Sequence, residues 1–233
     1  MTTDERGTVS YCHRCGYTEA NNHTTAPGAS VSAKTYRPWR DISEHLWDSS
    51  EPCKGSLAET SLQRRGCRLP PPDGDLRFLP GRADYPAAML ARVTDTLSAE
   101  PISLHFTRLN PDATKTADKP KRLLTGHRKA GGVIRLWPDD AVTHGLALSE
   151  GIESGLAAAH GFTPVWAAID AGNLGAFPVL EGITSLTVIA DHDDAGLHAT
   201  TTCAQRWADA GREARIAIPP IAGQDAADLM VAA

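Results

Sequence analysis

The sequence predicts an α/β protein: a mostly parallel sheet flanked by helices, preceded by a small α+β domain and a short N-terminal Cys-x-x-Cys segment. From Gly145 onward, short apolar runs alternate with helical patterns, which is typical of parallel sheets covered by helices. Between Ala87 and Pro138, shorter runs indicate strands of a partly antiparallel sheet. Before Gly55 the chain is polar, and its apolar residues follow neither a helical nor a strand periodicity. We therefore expect three parts, residues 1–54, 55–143 and 144–233.

The composition argues against several classes of protein. The 233 residues are 41% hydrophobic and carry a net charge of -5, which argues against a protein that coats DNA by bulk electrostatics. No run approaches the roughly 18 apolar residues of a membrane span, and the N-terminus lacks the apolar core of a signal peptide. We expect a cytoplasmic protein with reduced thiols and no membrane partner.

The part from residue 55 to 143 combines a helix, strands and a basic stretch. A helix is predicted between Gly55 and Arg65, closed by Gly66, and strands are predicted over residues 88–93, 102–106 and 133–137. The basic stretch runs from Arg108 to Arg135 and could be a solvated loop or a surface for nucleic acid or nucleotide. Its candidate binding residues are Lys115, Lys121, Arg122, Arg128, Lys129 and Arg135.

The part from residue 144 to 233 reads as alternating strands and helices. Strands are predicted over residues 146–149, 164–169, 185–190 and 214–218. Helices are predicted over residues 152–160, stopped by Gly161, and 195–210, stopped by Gly211. In such sheets, ligands gather at the carboxyl ends of the strands.

Acidic residues fall at those carboxyl ends. Glu150 ends the first strand of this part, Asp191 and Asp193 follow the strand ending at Ala190, and Asp225 follows the last strand. Carboxylates pushed together repel, so a cluster persists most readily around a divalent cation, and oxygen ligands suit Mg²⁺ or Mn²⁺. The alternative is that these acids only cap helices and form turns. Because acidic residues follow several strands that end at the same edge, the metal site is favoured over this alternative.

At these residues the sequence resembles the Toprim family of bacterial-type primases, topoisomerases and some nucleases. Leu148-Ser149-Glu150-Gly151 resembles the family's strand followed by Glu-Gly, and residues 188–196 resemble its Asp-x-Asp motif with a trailing Gly. Residues 223–228 are similar to the closing acidic motif of primase-type members. The chain is most similar to primase-like Toprim proteins of phages, plasmids and other mobile elements, in which a Leu-x-x-Arg-Gly segment, here residues 62–66, precedes the Toprim domain.

The resemblance implies roles for the acids. Glu150 would be the general acid or base, or a metal ligand, and Asp191 and Asp193 would be metal ligands. Glu153 stands one residue before the position usual for the next acid of primases.

Residues 11–16 resemble the second half of the zinc-binding module that precedes primase domains. Cys12 and Cys15 supply two of the four ligands that a structural zinc site needs. His13, His23 or Cys53 could complete the set. The alternative is a degenerate remnant or a truncated gene start.

Three functions follow from the resemblance. The first is a primase-type nucleotidyltransferase that takes single-stranded DNA and nucleoside triphosphates, uses Mg²⁺ or Mn²⁺, and works with a separate helicase, since no P-loop motif is present. The second is a metal-dependent nuclease, in which the same carboxylates orient water. The third is a non-catalytic protein that binds nucleic acid or a partner.

Overall fold

The structure, a computed structural model, describes residues 2–4, 7–11, 18–21, 35–40, 42–83 and 85–231. The chain divides into two units, Met1–Thr35 and Tyr36–Ala233. In the first unit, three strands form an antiparallel sheet in chain order: β1 (Thr2–Asp4), β2 (Gly7–Tyr11) and β3 (Thr18–Asn21). No helix among the described residues is long and apolar enough to cross a membrane.

The second unit begins with an antiparallel sheet and two helices. Its strands are β4 (Glu51–Pro52), β5 (Leu76–Leu79), β6 (Ala88–Asp95), β7 (Pro101–Arg108) and β8 (Lys121–Leu123), hydrogen-bonded in that order, while β9 (Gly132–Val133) pairs with the end of β6. The helices are α1 (Ile42–Asp48) and α2 (Leu57–Arg64). Helix α2 starts at Ser56, whose hydroxyl accepts a hydrogen bond from the amide of Ala58 at 3.1 Å, as N-cap serines do.

A parallel sheet follows. Its strands are β10 (Gly145–Ser149), β11 (Val165–Ala167), β12 (Ser185–Ile189) and β13 (Glu213–Ala217), in the spatial order β11-β10-β12-β13. Its helices are α3 (Ile152–Ala158), α4 (Ala171–Ala176), α5 (Asp194–Asp209) and α6 (Ala226–Val231). The predicted α/β class, with a mostly parallel sheet among helices after a part that contains an antiparallel sheet, is confirmed.

Side-chain alternation along the parallel strands divides the apolar residues between two cores. Leu146 and Leu148 of β10 lie in one core with the helices α4 and α5, where Phe177 stacks on Trp207 with ring centroids 6.2 Å apart. Ala147 lies in the other core with α3, α2 and the inner face of the antiparallel sheet. Strands β10, β11 and β12 are therefore covered on both faces, whereas β13, at one edge of the sheet, has no buried residue.

The predicted strand over residues 133–137 is wrong in extent, because this run serves both sheets. Val133 pairs with β6, whereas Ile134 forms a two-way backbone bridge with Ala167 of β11, at 2.8 and 2.9 Å. The amide of Trp137 then donates to the carbonyl of Val165 at 3.2 Å. The run thus leaves the antiparallel sheet and joins the parallel sheet at the edge of β11.

Candidate catalytic site

Glu150 and Asp191 lie beside one another because their strands are adjacent and parallel. In the register of β10 and β12, Leu148 faces Val188 and Ser149 faces Ile189. Glu150 is the next residue after β10, and Asp191 comes two residues after β12. Both carboxylates therefore stand at the carboxyl edge of the sheet, where open α/β sheets bind their ligands.

The loop after β12 is fixed by short polar contacts. The hydroxyl of Ser154, a buried residue of α3, donates to Oδ1 of Asp191 at 2.9 Å. Asp193 caps α5, its Oδ1 accepting from the amide of Gly196 at 2.7 Å. A Cβ on Gly196 would overlap the carbonyl oxygen of Asp191 and stand 3.2 Å from its carbonyl carbon. The glycine is therefore needed for the helix to start this close to Asp191.

The pKa values of Glu150 and Asp191 are both raised. Burial is the main cause that raises the pKa of Glu150, followed by the negative charges of Asp191, Asp193 and Asp170, while Lys121 opposes the shift. Burial also raises the pKa of Asp191; the hydrogen bond from Ser154 opposes this. The edge thus concentrates negative charge that is incompletely balanced by the protein.

The carboxylates at this edge are of the chemical type that binds a hard divalent cation. Glu150, Asp191 and Asp193 offer carboxylate oxygens alone, the ligands that Mg²⁺ and Mn²⁺ take. Burial, and after it the charges of neighbouring carboxylates, raise the pKa values of Glu150 and Asp191, and a bound cation would offset both effects. Within the described ranges, however, no three His, Cys, Asp or Glu side chains lie close enough together to hold a metal ion. Binding would require these side chains to change rotamers and converge.

Asp225, the fourth predicted ligand, is engaged by an arginine. The Arg65 guanidinium donates from Nη2 to both of its carboxylate oxygens, each at 3.2 Å, and from Nη1 to Oδ1 of Asp228 at 3.1 Å. Asp225 and Asp228 also accept from each other's backbone amides, at 3.0 and 2.9 Å. The charge of Asp225 raises the pKa of Asp191, so it lies near the edge, but its oxygens are already shared.

Two of the six candidate basic residues face the acids. Lys121, exposed on β8, opposes the raised pKa values of both Glu150 and Asp191. Its Nζ lies 3.9 Å from the position that a Cβ on Gly151 would take. Lys115 forms an ion pair with the buried carboxylate of Glu153. Lys121 is therefore placed to meet an anion at this edge, whereas Lys115 compensates a buried charge.

Of the other four candidates, Lys129 lies near this edge through its ion pair with Asp170, and the remaining three lie elsewhere. Arg122 points from β8 to the opposite side of the sheet, Arg128 pairs with Asp95 at 2.6 Å, and Lys129 pairs with Asp170 at 2.6 Å. Arg135 is buried, pairs with Asp139 at 2.6 Å and lies 4.5 Å from the ring centroid of Trp166.

The position of Arg135 does not suit a residue that contacts nucleic acid. Its guanidinium also donates to Thr94 and to the carbonyl oxygens of Asp95 and Thr96. With these donors used and the side chain out of solvent, Arg135 holds the junction of the two sheets together. Arg135 is therefore not a candidate for the nucleic-acid-binding surface.

The predicted zinc ligands Cys12 and Cys15 lie outside the described residues, as do His13 and His23. Cys53, the remaining candidate to complete that set, is buried in the core of the second unit. Burial raises the pKa of its thiol to about 12. A protonated, inaccessible thiol does not suit a zinc ligand.

Sequence reasoning missed Asp170 and Ser154. Asp170 follows β11, the third strand ending at this edge, so its position carried the same signal as the other acids. Ile169, just before it, has a φ of 79°, which a β-branched residue rarely adopts, and this turns the chain so that Asp170 caps α4. Ser154 lies one turn into α3, and only the packing of α3 against the end of β12 brings it to Asp191.

A small cavity of about 20 Å³ lies between the antiparallel sheet and the start of α3, large enough for one water. It is lined by His105, Lys121 and Glu153, among others. His105 is buried, its Nδ1 has no partner among the described residues, and burial lowers its pKa to about 4. It is therefore a neutral imidazole at neutral pH.

Two family models match parts of the chain. Residues 145–233 match the family described as Toprim domain, and residues 39–136 match Domain of unknown function (DUF7146). No curated protein matches the chain.

Among solved structures, the primase fragment of the bacteriophage T7 primase-helicase protein is similar over 96% of this chain and 86% of its own, with 17% identity and a TM-score of 0.51. The Aquifex aeolicus primase, as its zinc binding and RNA polymerase domains, shares 14% identity over 80% of this chain and 56% of its own, with a TM-score of 0.49. At such identities the first likeness shows the fold alone. Residues 145–233 therefore form a Toprim domain, and the chain resembles the T7 primase fragment in fold.

Proposed function

We propose that this protein catalyses metal-dependent nucleotidyl transfer on a single-stranded DNA template, making primers from nucleoside triphosphates. One observation carries the proposal: Glu150 and Asp191 stand on adjacent parallel strands at their carboxyl ends, and Lys121 faces both. Negative charge that is incompletely balanced suits a divalent cation, and a nearby lysine suits a phosphate. In this proposal, residues 55–143 supply the basic side chains and residues 144–233 the carboxylates.

Each residue has a distinct part in the proposed reaction. Glu150, Asp191 and Asp193 would hold Mg²⁺ or Mn²⁺, which when bound supplies charge neutralisation to the phosphates. As the alternative to holding the cation, Glu150, whose pKa is raised by burial, would accept the proton of a 3'-hydroxyl. Ser154 fixes the Asp191 carboxylate, and Lys121 draws the triphosphate toward the edge.

Other parts of the proposal rest on resemblance and on the fold. Unwinding of the template would come from a separate helicase. Cys12 and Cys15 would contribute a zinc site for template recognition if further ligands complete it. The resemblance to phage and plasmid proteins favours a role in the replication of a mobile element.

The proposal is tested by primer synthesis from labelled nucleoside triphosphates on single-stranded DNA, with Mg²⁺ or Mn²⁺. We compare the wild-type protein with Asp191→Asn/Asp193→Asn and with a matched control, Glu181→Gln/Asp209→Asn, which removes two exposed acids away from the edge. Products from the wild type and the control, and none from the edge variant, are expected.

Two results would overturn the proposal. Shortening of the template that needs Asp191 and Asp193, without primer synthesis, would make the protein a nuclease using the same carboxylates. DNA binding without any reaction in either metal would leave a binding protein. Following template and product in the same tubes separates these outcomes.

A further inference from the structure

A second, larger cavity of about 440 Å³ lies on the face of the antiparallel sheet that points away from the carboxylates. Side chains alternate across β7 and β8, so His105, Thr107 and Lys121 point toward the catalytic edge, whereas Phe106 and Arg122 line this second cavity. Helix α1 covers one side of it. The cavity is thus separate from the proposed catalytic site, and nothing in the proposed reaction uses it.

The cavity has an apolar wall with an aromatic side chain at its mouth. Phe106 and Leu123 contribute to the wall, and Tyr85 and Ile42 stand beside it with 67% and 56% of their surface exposed. Large apolar side chains left this open, next to a concave apolar surface, are typical of a binding site. A flat ring could lie against Tyr85 or Phe106.

Three arginines, Arg82, Arg108 and Arg122, also line the cavity, and no described lining residue is acidic. Arg122 approaches Asp118 only at 3.8 Å, with both side chains exposed, so this pair contributes little. Within the described ranges, neither Arg82 nor Arg108 forms a salt bridge. Counting the described residues alone, the lining of the cavity carries positive charge and no carboxylate, which suits an anion.

The cavity continues toward the catalytic edge along β8. An open groove over residues 119–125 shares Arg122, Leu123 and Thr125 with the cavity, and it adds Lys119 and Lys121. Lys121 is also the residue that faces Glu150 and Asp191. A basic path thus leads from the arginines, around the outer edge of the sheet, to the carboxylates.

We propose that this cavity seats one unpaired base of a single-stranded nucleic acid, with flanking phosphates on Arg82, Arg108 and Arg122. The base would stack on Tyr85, the more exposed of the two rings, and the strand would pass along β8 toward the carboxylates. Aromatic rings that accept any base, next to a positively charged groove, are how proteins bind single strands without sequence readout. The inference takes the identity of the strand from the proposed function, but it does not require catalysis.

Fluorescence anisotropy with a labelled oligothymidylate, in EDTA, tests the cavity without the reaction. Tyr85→Leu keeps an apolar side chain and removes the ring, and we expect about tenfold weaker binding, as for the loss of one stacked base. Tyr85→Phe keeps the ring and should bind like the wild type. Circular dichroism and thermal unfolding check that each variant is folded.

The arginines are tested by salt dependence. Arg82→Gln/Arg108→Gln removes two phosphate contacts, so the slope of log K against log salt should fall by about 1.4, at about 0.7 per contact for single strands. The matched control Lys54→Gln/Arg215→Gln removes two exposed charges outside the cavity and should leave the slope nearly unchanged.

Photo-crosslinking with a 5-iodouracil oligonucleotide locates the base directly, and we expect adducts at Tyr85 or Phe106. Unchanged affinity in Tyr85→Leu, or adducts confined to the carboxylate edge, would overturn the inference. The variant Asp191→Asn/Asp193→Asn should bind the oligonucleotide at least as well as the wild type. If primer synthesis is absent but the cavity variants still lose binding, the proposed function fails and this inference stands.

Discussion

Replacing Asp191 by asparagine is expected to stabilise the protein in the absence of divalent cations. Burial and neighbouring carboxylates raise the pKa of Asp191 in the folded state, so its ionised form at neutral pH costs folding free energy. Asparagine removes that charge and keeps an oxygen that can accept the 2.9 Å hydrogen bond from Ser154. Relief of strain at a functional site is commonly worth about 1 kcal/mol, or roughly 2–4 °C in Tm for a chain of this size.

A divalent cation should reverse this order. At a free concentration about tenfold above its dissociation constant, the cation stabilises the wild type by RT ln 11, ~1.4 kcal/mol, and Asp191→Asn by much less. Thermal unfolding followed by circular dichroism, in EDTA and in Mg²⁺, measures both effects. Asp209→Asn, on the exposed face of α5, is the control and should shift Tm little in either buffer.

The pH dependence has a definite sign. Because the folded pKa of Asp191 lies above its unfolded value, the cost of its charge disappears as pH falls through the folded pKa, and the wild type should approach the variant in stability. Destabilisation of Asp191→Asn in EDTA near neutral pH would refute the reasoning, since it would mean that the carboxylate is favourably compensated where it lies.

Three further changes have expected outcomes. Gly196→Ala should cost about 1–3 kcal/mol, because its Cβ overlaps the Asp191 carbonyl, and primer synthesis should fall further than stability alone explains; unfolding and activity measured side by side check this. Arg65→Met should lower the free energy of unfolding in urea by about 1 kcal/mol at low salt and by less at high salt, because the ion pair of Arg65 with Asp225 is partly exposed. Arg65→Lys should recover part of this stability. A loss of stability that does not depend on salt would contradict the ion-pair account. For His105, the folded pKa of about 4 lies below the unfolded value, so stability is retained above the unfolded pKa and is lost as pH falls toward 4. His105→Gln should therefore make the stability less dependent on pH over that interval. An unchanged pH profile of stability would count against a buried neutral imidazole.

The sequence was most informative where local pattern decides structure. The apolar runs Leu146–Leu148 and Leu186–Ile189 predicted β10 and β12, and parallel order then placed the residues after them at one edge. The run of residues 133–137 misled because its two halves pair with different sheets. Strand β8, with Lys121 and Arg122 exposed on an edge, lacks the apolar content that marks a strand.

Short helices and distant partners could not be predicted. Helices α1, α4 and α6 have six or seven residues, and unlike α3, which is as short but is followed closely by Gly161, they were not predicted. Arg65 and Asp225 are 160 positions apart, so no spacing in the sequence links them. The burial of Arg135 depends on the junction of the two sheets, so the sequence alone could not distinguish it from the exposed basic residues of the same stretch. The roles of Glu150 and Asp191 in metal binding stay predictions.

Binding of Mn²⁺ followed by electron paramagnetic resonance tests the carboxylate edge most directly. The wild type, and the control Glu181→Gln/Asp209→Asn, should remove Mn²⁺ from the free signal in saturable fashion, and excess Mg²⁺ should release it. Glu150→Gln and Asp191→Asn should each weaken this binding, because each removes one carboxylate from the proposed ligand set. Equal Mn²⁺ binding by the wild type and both edge variants would contradict the account, since the cation would then be held elsewhere.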